Sequence, residues 1–249
     1  MIELKTEREI EVIRNNGKIL AKTLKLVGEG IHSGIKTKEL NQLAENFIKK
    51  RGAYPAFKGY RGFPSSICVS INEEVVHGIP GERIIQEGEI VSVDVGVFKD
   101  GYYADGAFTY PVGEVSAEAK RLIWVTRQAL KNALQFVKEG GYLSDVSHAI
   151  QSFVERNGFS VVRDLVGHGI GKRMHEEPQI PNFGAPGQGV MLRKGMVLAI
   201  EPMVNMGSYA IDTKDDHWTV ITRDGSLSAH FEHTVAVTEN GAEILTGDS

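Results

Sequence analysis

Two aspartates, two glutamates and a histidine occupy places in this chain where charge is expensive. Asp94 lies within the valine-rich run Ile90 to Phe98, and Asp105 within the run that follows it. Glu201 ends Val197-Leu198-Ala199-Ile200, Glu232 precedes Thr234-Val235-Ala236-Val237, and His168 sits among glycines in Val166 to Gly171. A carboxylate taken out of water without a partner costs roughly several kcal/mol, so four of them need a strong positive counterweight. Two divalent cations would supply it. Ligation by carboxylates and one imidazole suits Mn²⁺, Fe²⁺ or Co²⁺ at least as well as Zn²⁺.

Strand parity places these acids. Alternation puts Val91, Val93, Val95 and Val97 on one face and Ser92, Asp94 and Gly96 on the other, where small neighbours leave room. Lys99-Asp100-Gly101 reads as a hairpin turn. A two-residue loop at Lys99-Asp100 sets Asp94 directly opposite Asp105, and shifting it by one residue keeps both on one face. Carboxylates about 5 Å apart either share a proton, as in an aspartic dyad, or hold a cation. The dyad is disfavoured because Glu201, Glu232 and His168 have similar surroundings. Glu201 falls in phase with Val197 and Ala199, and Glu232 with Ser228, His230 and Thr234.

The elements that must carry these residues alternate between helices and strands. Thr6 and Glu9 form a capping box ahead of Ile10, Ile13, Leu20 and Leu24, and a second helix is expected from about Thr37 to Gly52. Strands are expected from Ile67 to Val112. Ser116 then heads a helix reaching Val137, Ser144 heads another ending near Gly158, and strands resume from Val161 to about Leu245. Helix, helix, strands thus occurs twice, in halves of about 5–113 and 114–245. Gly88 and Gly195 each precede an acid, Asp94 or Glu201, by six residues, and His77-x-x-Pro80 is echoed by His175-x-x-Pro178. The whole chain, 1–249, is expected to form one catalytic domain. Pro181 to Gly189 is expected to be a surface loop bordering the site.

Composition narrows the function classes. At 249 residues and 41% hydrophobic content the chain can bury a sizeable core. A net charge of −4 gives no basic footprint for nucleic acid. An early-charged amino terminus without an apolar h-region, and no apolar stretch long enough to span a bilayer, point to a cytoplasmic protein. The single cysteine, Cys68, builds neither an intramolecular disulfide nor a thiolate zinc site by itself. A dinucleotide fingerprint, a P-loop, an H-E-x-x-H zincin motif and a G-x-S-x-G elbow are all absent.

Taken in order, His77-Gly-Ile-Pro80, the Asp94 and Asp105 pair, Gly167-His-Gly-Ile-Gly171, His175-Glu-Glu-Pro178, Glu201-Pro-Met203 and Glu232-His-Thr234 resemble the methionine aminopeptidases. The likeness covers nearly the whole chain. It is to the short bacterial type I form, with no zinc-binding extension before the domain and no type II insertion between Glu201 and Glu232. The resemblance implies an α+β pita-bread fold, two pseudo-symmetric halves around a curved antiparallel sheet. It also implies two divalent ions: Asp94 on one, His168 and Glu201 on the other, Asp105 and Glu232 bridging both.

The implied reaction is removal of the initiator methionine from amino-terminal Met peptides and nascent chains, favouring a small second residue. A metal-bridged water would attack the scissile carbonyl, with Glu201 shuttling the proton. His77 would lie near the reacting amide and His175 would hold the carbonyl oxygen. Motif alignment suggests a methionine pocket at Tyr60, Phe63, Cys68, Met174 and Trp218, where a thioether would meet aromatic and soft side chains. A monomer with transient ribosome contact is expected. Gly106-Ala107 stands where many relatives carry hydroxyl residues, and Gly96 where some carry threonine, which bears on hydrogen bonding around the metals. The alternatives are a proline-directed aminopeptidase or dipeptidase of the same fold and a non-catalytic peptide-binding protein.

Overall fold

Thr6 opens the first helix with the box that its spacing from Glu9 predicts. In the computed structural model, which describes residues 2–247, the Glu9 N–H donates to the Thr6 hydroxyl and the Thr6 N–H donates to the Glu9 carboxylate at 2.8 Å. Helix α1 (Glu7–Gly30) is followed by α2 (Thr37–Lys49) and strands β1 (Tyr54–Pro55), β2 (Cys68–Ile71), β3 (Glu74–Val76), β4 (Ile90–Lys99) and β5 (Tyr102–Pro111). A second helix pair, α3 (Ala117–Ala133) and α4 (Leu143–Arg156), leads into β6 (Ser160–Val161), β7 (Gly167–Gly169), β8 (Glu176–Ile180), β9 (Val197–Ile200) and β10 (Met203–Asn205). The chain closes with β11 (Ile211–Thr213), β12 (Val220–Thr222), β13 (Ser228–His230), β14 (His233–Thr238) and β15 (Gly241–Ile244). The order helix, helix, strands occurs twice. Gly88 and Gly195 turn with nearly equal φ, 86° and 89°, before the strands that carry or lead to Asp94 and Glu201.

Some boundaries differ from expectation. Ser116 caps α3 as predicted, but that helix gives way at Leu134 to a short 3-10 turn, so Val137 lies beyond it. Helix α4 begins at Leu143, with Asp145 accepting the Tyr142 N–H; Ser144 is already inside, its hydroxyl bonded to the Gln188 backbone.

The expected hairpin loop is also displaced. Asp100 and Gly101 have φ of 51° and 83°, both left-handed, as a two-residue turn matched to strand twist requires. Lys99 therefore pairs with Tyr102, Asp94 faces Ala107, and Asp105 faces Gly96. The aspartates are not directly opposite but two residues out of step, on one face.

Among the described residues all strand pairings are antiparallel. β4 pairs with β5 along its whole length, while β1 and β2 share its other edge; a second sheet runs β15-β14-β9-β7-β8. The valines of β4 join α1 and α2 in one core cluster, and Leu198, Ile200, Val235 and Val237 join α3 and α4 in another. The acids face away from these cores.

Hydroxyls join the two halves. The Glu232 N–H donates to the Ala107 carbonyl at 2.9 Å. Thr234 Oγ1 donates to the Asp105 carbonyl at 2.7 Å and accepts the Asp105 N–H at 2.9 Å. Thr109 Oγ1 does the same for the carbonyl and N–H of His230. These side chains stand in for ladder bonds where β5 meets the segment between β13 and β14.

Loop 181–189 does not line the cavity. It docks on α4 through Gly184 to Gln151 and Gly187 to Asp145, and reaches the site only as Asn182 Nδ2 donating to the Glu201 carbonyl at 3.1 Å.

Thr234→Val keeps the shape but strips both bonds from Asp105. Each buried group left unsatisfied costs about 1–3 kcal/mol. Denaturant unfolding should therefore show at least about 2 kcal/mol lost with an unchanged m-value, whereas Thr213→Val, at an exposed position, should stay within about 0.5 kcal/mol of the parent. Equal effects would remove the seam from the account.

Candidate metal centre

Five short segments from both halves converge on one cavity of about 160 Å³. Asp94 and Asp105 reach it from the β4–β5 hairpin, His168 from β7, Glu201 from the end of β9, and Glu232 from the crossing between β13 and β14. Asp105, His168 and Glu232 are buried; Asp94 and Glu201 are half-buried. His168 Nε2 lies 3.6 Å from Glu201 Oε1 and 4.0 Å from Asp105 Oδ2. Its Nδ1 is 2.8 Å from the Gly169 carbonyl, which directs Nε2 toward the acids.

The residues expected to touch substrate line the same cavity. His77 follows β3 with φ of 59°, a left-handed geometry unusual for a side-chain-bearing residue. His175 stands at the rim, its ring centroid 4.3 Å from that of His168. The Tyr60 hydroxyl is 2.8 Å from His175 Nδ1, and the two rings stack at 5.3 Å. Phe63 meets Trp218 edge-on at 5.2 Å, and Phe63, Cys68 and Met174 are buried together. Cys68 sits directly opposite Asp94 in the β2–β4 ladder, so the apolar pocket and the acid cluster share a wall. Burial first, and Asp94 next, push its thiol pKa well up, consistent with an inert lining residue.

Three lining or adjoining residues belong to none of the sequence motifs. Phe57 and Arg61 come from the irregular stretch after β1, where no periodicity marks them. A Cβ at Gly96 would lie 2.6 Å from the Phe57 ring and 2.9 Å from the Ala56 Cβ, so Phe57 fills the space that a threonine at position 96 would need. His230 shares a strand face with Glu232, and its Nε2 lies 3.6 Å from Glu201 Oε2. That shared parity was the signal.

The model of metallopeptidase family M24 matches residues 11–239. A methionine aminopeptidase of Bacillus subtilis is 55% identical over 99% of both chains. The chain belongs to metallopeptidase family M24, among its methionine aminopeptidases. A crystal structure of a methionine aminopeptidase from Thermotoga maritima superposes with a TM-score of 0.98 at 52% identity, covering 100% of each chain. The M24 pita-bread fold extends to a prolidase from Pyrococcus furiosus, which matches at a TM-score of 0.79 and 24% identity, over 99% of this chain and 66% of that one.

An M24 metallopeptidase uses divalent metal, and the residues present fit one. Asp94 Oδ1, Glu232 Oε1 and His230 Nε2 are buried without any hydrogen-bond partner, an arrangement that otherwise leaves desolvation uncompensated. Burial raises the Asp94 pKa well above its ordinary value, reinforced by Asp105 and Glu201. Glu201 and Glu232 rise from burial and then from Asp105. Asp105 is raised by burial to about 7, restrained by the Gly106 N–H and Asp94. The histidines move the opposite way: burial lowers His77 and His168, takes His230 to about 3, and, with His168, Arg61 and His77 adding to it, takes His175 to about 3.

Acids raised in the fold contribute stability below their unfolded values near 4 and lose it as pH climbs through their raised folded values, about 7 for Asp105. Histidines lowered in the fold have made their full contribution above pH 6.5. Metal-free protein should therefore lose thermal stability between pH 6.5 and 8, by roughly 2–4 °C for each kcal/mol. Excess Mn²⁺ should restore it, with a larger gain at pH 8. A Tm that is flat or rising in the metal-free protein would contradict this account of buried repulsion.

Proposed function

We propose that the chain is a cytoplasmic dimetal aminopeptidase that removes the initiator methionine from Met-peptides and nascent chains, favouring a small second residue. The observation that supports this most directly is the convergence of the acid cluster and the soft, aromatic pocket on a single cavity. Asp94, Asp105, His168, Glu201 and Glu232 would hold two ions, with Fe²⁺, Mn²⁺ or Co²⁺ favoured and Zn²⁺ accepted. Divalent ions in this cradle supply Lewis-acid polarisation of the scissile carbonyl and a water acidic enough to react near neutral pH.

The chain's own groups do the rest. Phe63, Cys68, Met174 and Trp218 receive the methionine thioether beside the ligands. His175, with its pKa near 3, is neutral at pH 7. A Tyr60 hydroxyl that donates to Nδ1 would leave the single ring proton on Nε2, a donor for the carbonyl oxygen as negative charge develops. His77 borders the reacting amide, and Glu201 passes the proton from the attacking water to the leaving amine. A monomer with transient ribosome contact accompanies this reading, and among the described residues no helix is long and apolar enough to cross a membrane.

The deciding experiment loads the protein anaerobically with Mn²⁺, Fe²⁺ or Co²⁺ and compares Met-Ala-Ser with Ala-Pro-Ala. Release of methionine with little cleavage of the proline peptide is expected. Preference for Ala-Pro-Ala would replace the proposal with a proline-directed activity, and hydrolysis of neither would leave a peptide-binding protein.

Tyr60→Phe removes the hydroxyl that meets His175 Nδ1. It should lower kcat about tenfold while KM changes much less, and steady-state kinetics on Met-Ala-Ser would show the split. An effect confined to KM would make Tyr60 a pocket wall alone.

A further inference from the structure

His230 is the buried imidazole that the five-ligand scheme leaves without work. It is 1% exposed, and its Nε2 has no hydrogen-bond partner. Its backbone is pinned on both sides: the N–H and carbonyl of His230 bond to Thr109 Oγ1 at 2.9 and 2.8 Å, and β13 sets it opposite Met203, two residues after Glu201. The imidazole therefore projects from a fixed position. Leaving a ring nitrogen unsatisfied at a fixed, buried position carries a desolvation cost that nothing else in the structure explains.

The distance indicates what the nitrogen faces. Glu201 stands between two imidazoles, with Oε1 at 3.6 Å from His168 Nε2 and Oε2 at 3.6 Å from His230 Nε2. A separation of 3.6 Å is too long for a hydrogen bond. It is close to the spacing of two donors on a common ion, since atoms bonded at about 2.1 Å in tetrahedral geometry lie about 3.4 Å apart. One donor atom each from Glu201, His230 and Glu232 all lie within 4.8 Å of one another, as do those from Asp105, His168 and Glu232. Glu232 belongs to both groups.

We propose that His230 is a sixth protein ligand, which with Glu201 and Glu232 walls a divalent-cation position on the side of Glu201 away from His168. The inference rests on the dimetal reading of the site and extends it. A second imidazole makes the centre less purely oxygen-based. It shifts preference toward imidazole-seeking Co²⁺, Fe²⁺ or Zn²⁺ and away from Mn²⁺.

The test counts coordinated imidazoles in the intact protein. X-ray absorption of anaerobically Co²⁺-loaded protein should give two imidazoles per chain, one lost in His230→Gln and the other in His168→Gln. Calorimetric titration with Co²⁺ alone should show one binding step weakened about tenfold or more in His230→Gln, with metal-free circular dichroism unchanged. A loaded wild type with a single imidazole, lost in His168→Gln and untouched in His230→Gln, would overturn the sixth ligand and leave the five-ligand centre standing. Failure of the wild type to retain any ion would overturn both. Should His230→Gln not fold, the imidazole count of the wild type decides by itself.

Discussion

Four carboxylates facing one another beneath a narrow cavity repel at every pH at which they are charged, and the interior offers little water to screen them. Burial and mutual repulsion push Asp94, Glu201 and Glu232 well above their ordinary pKa values. Protonation relieves that repulsion but leaves carboxyls unsuited to ligation; divalent cations relieve it and keep the ligands charged. The histidines around them are held neutral by the same burial, which fits them to ligate or donate rather than to neutralise.

A cluster of this kind forms only if the chain segments cannot drift apart. The hydroxyls of Thr109 and Thr234 meet that need where a regular ladder does not run. They bond both backbone groups of His230 and Asp105 and so fix the first half of the chain against the second. The helices pack on the far side, where the alternate residues of the same strands are valines. The period of two that buries Val93 and Val95 also delivers Asp94 to the cavity.

That period is why much of the site could be read in advance. The face of β4, the capping box at Thr6 and the acids in strand phase are local patterns with one physical solution. The hairpin was misplaced by one residue because its loop depends on which pair accepts left-handed geometry, and Asp100-Gly101 does so where Lys99-Asp100 would not. Helix α4 starts before the position Ser144 predicts because Asp145, inside the helix, accepts the Tyr142 N–H. Phe57 and Arg61 arrive through an irregular stretch with no repeat to announce them. His230 was within reach, since it lies in phase with Glu232, but only distances reveal how closely it approaches Glu201.

The Phe57 ring helps wall the apolar pocket and also occupies the space over Gly96, the residue paired with Asp105. Cys68, another pocket residue, is paired with Asp94. The apolar pocket and the acid cluster therefore share these backbone pairings. A substitution that reshapes the pocket at Phe57 or Cys68 therefore also presses on the strand that carries Asp94 and on its pairing with the strand that carries Asp105.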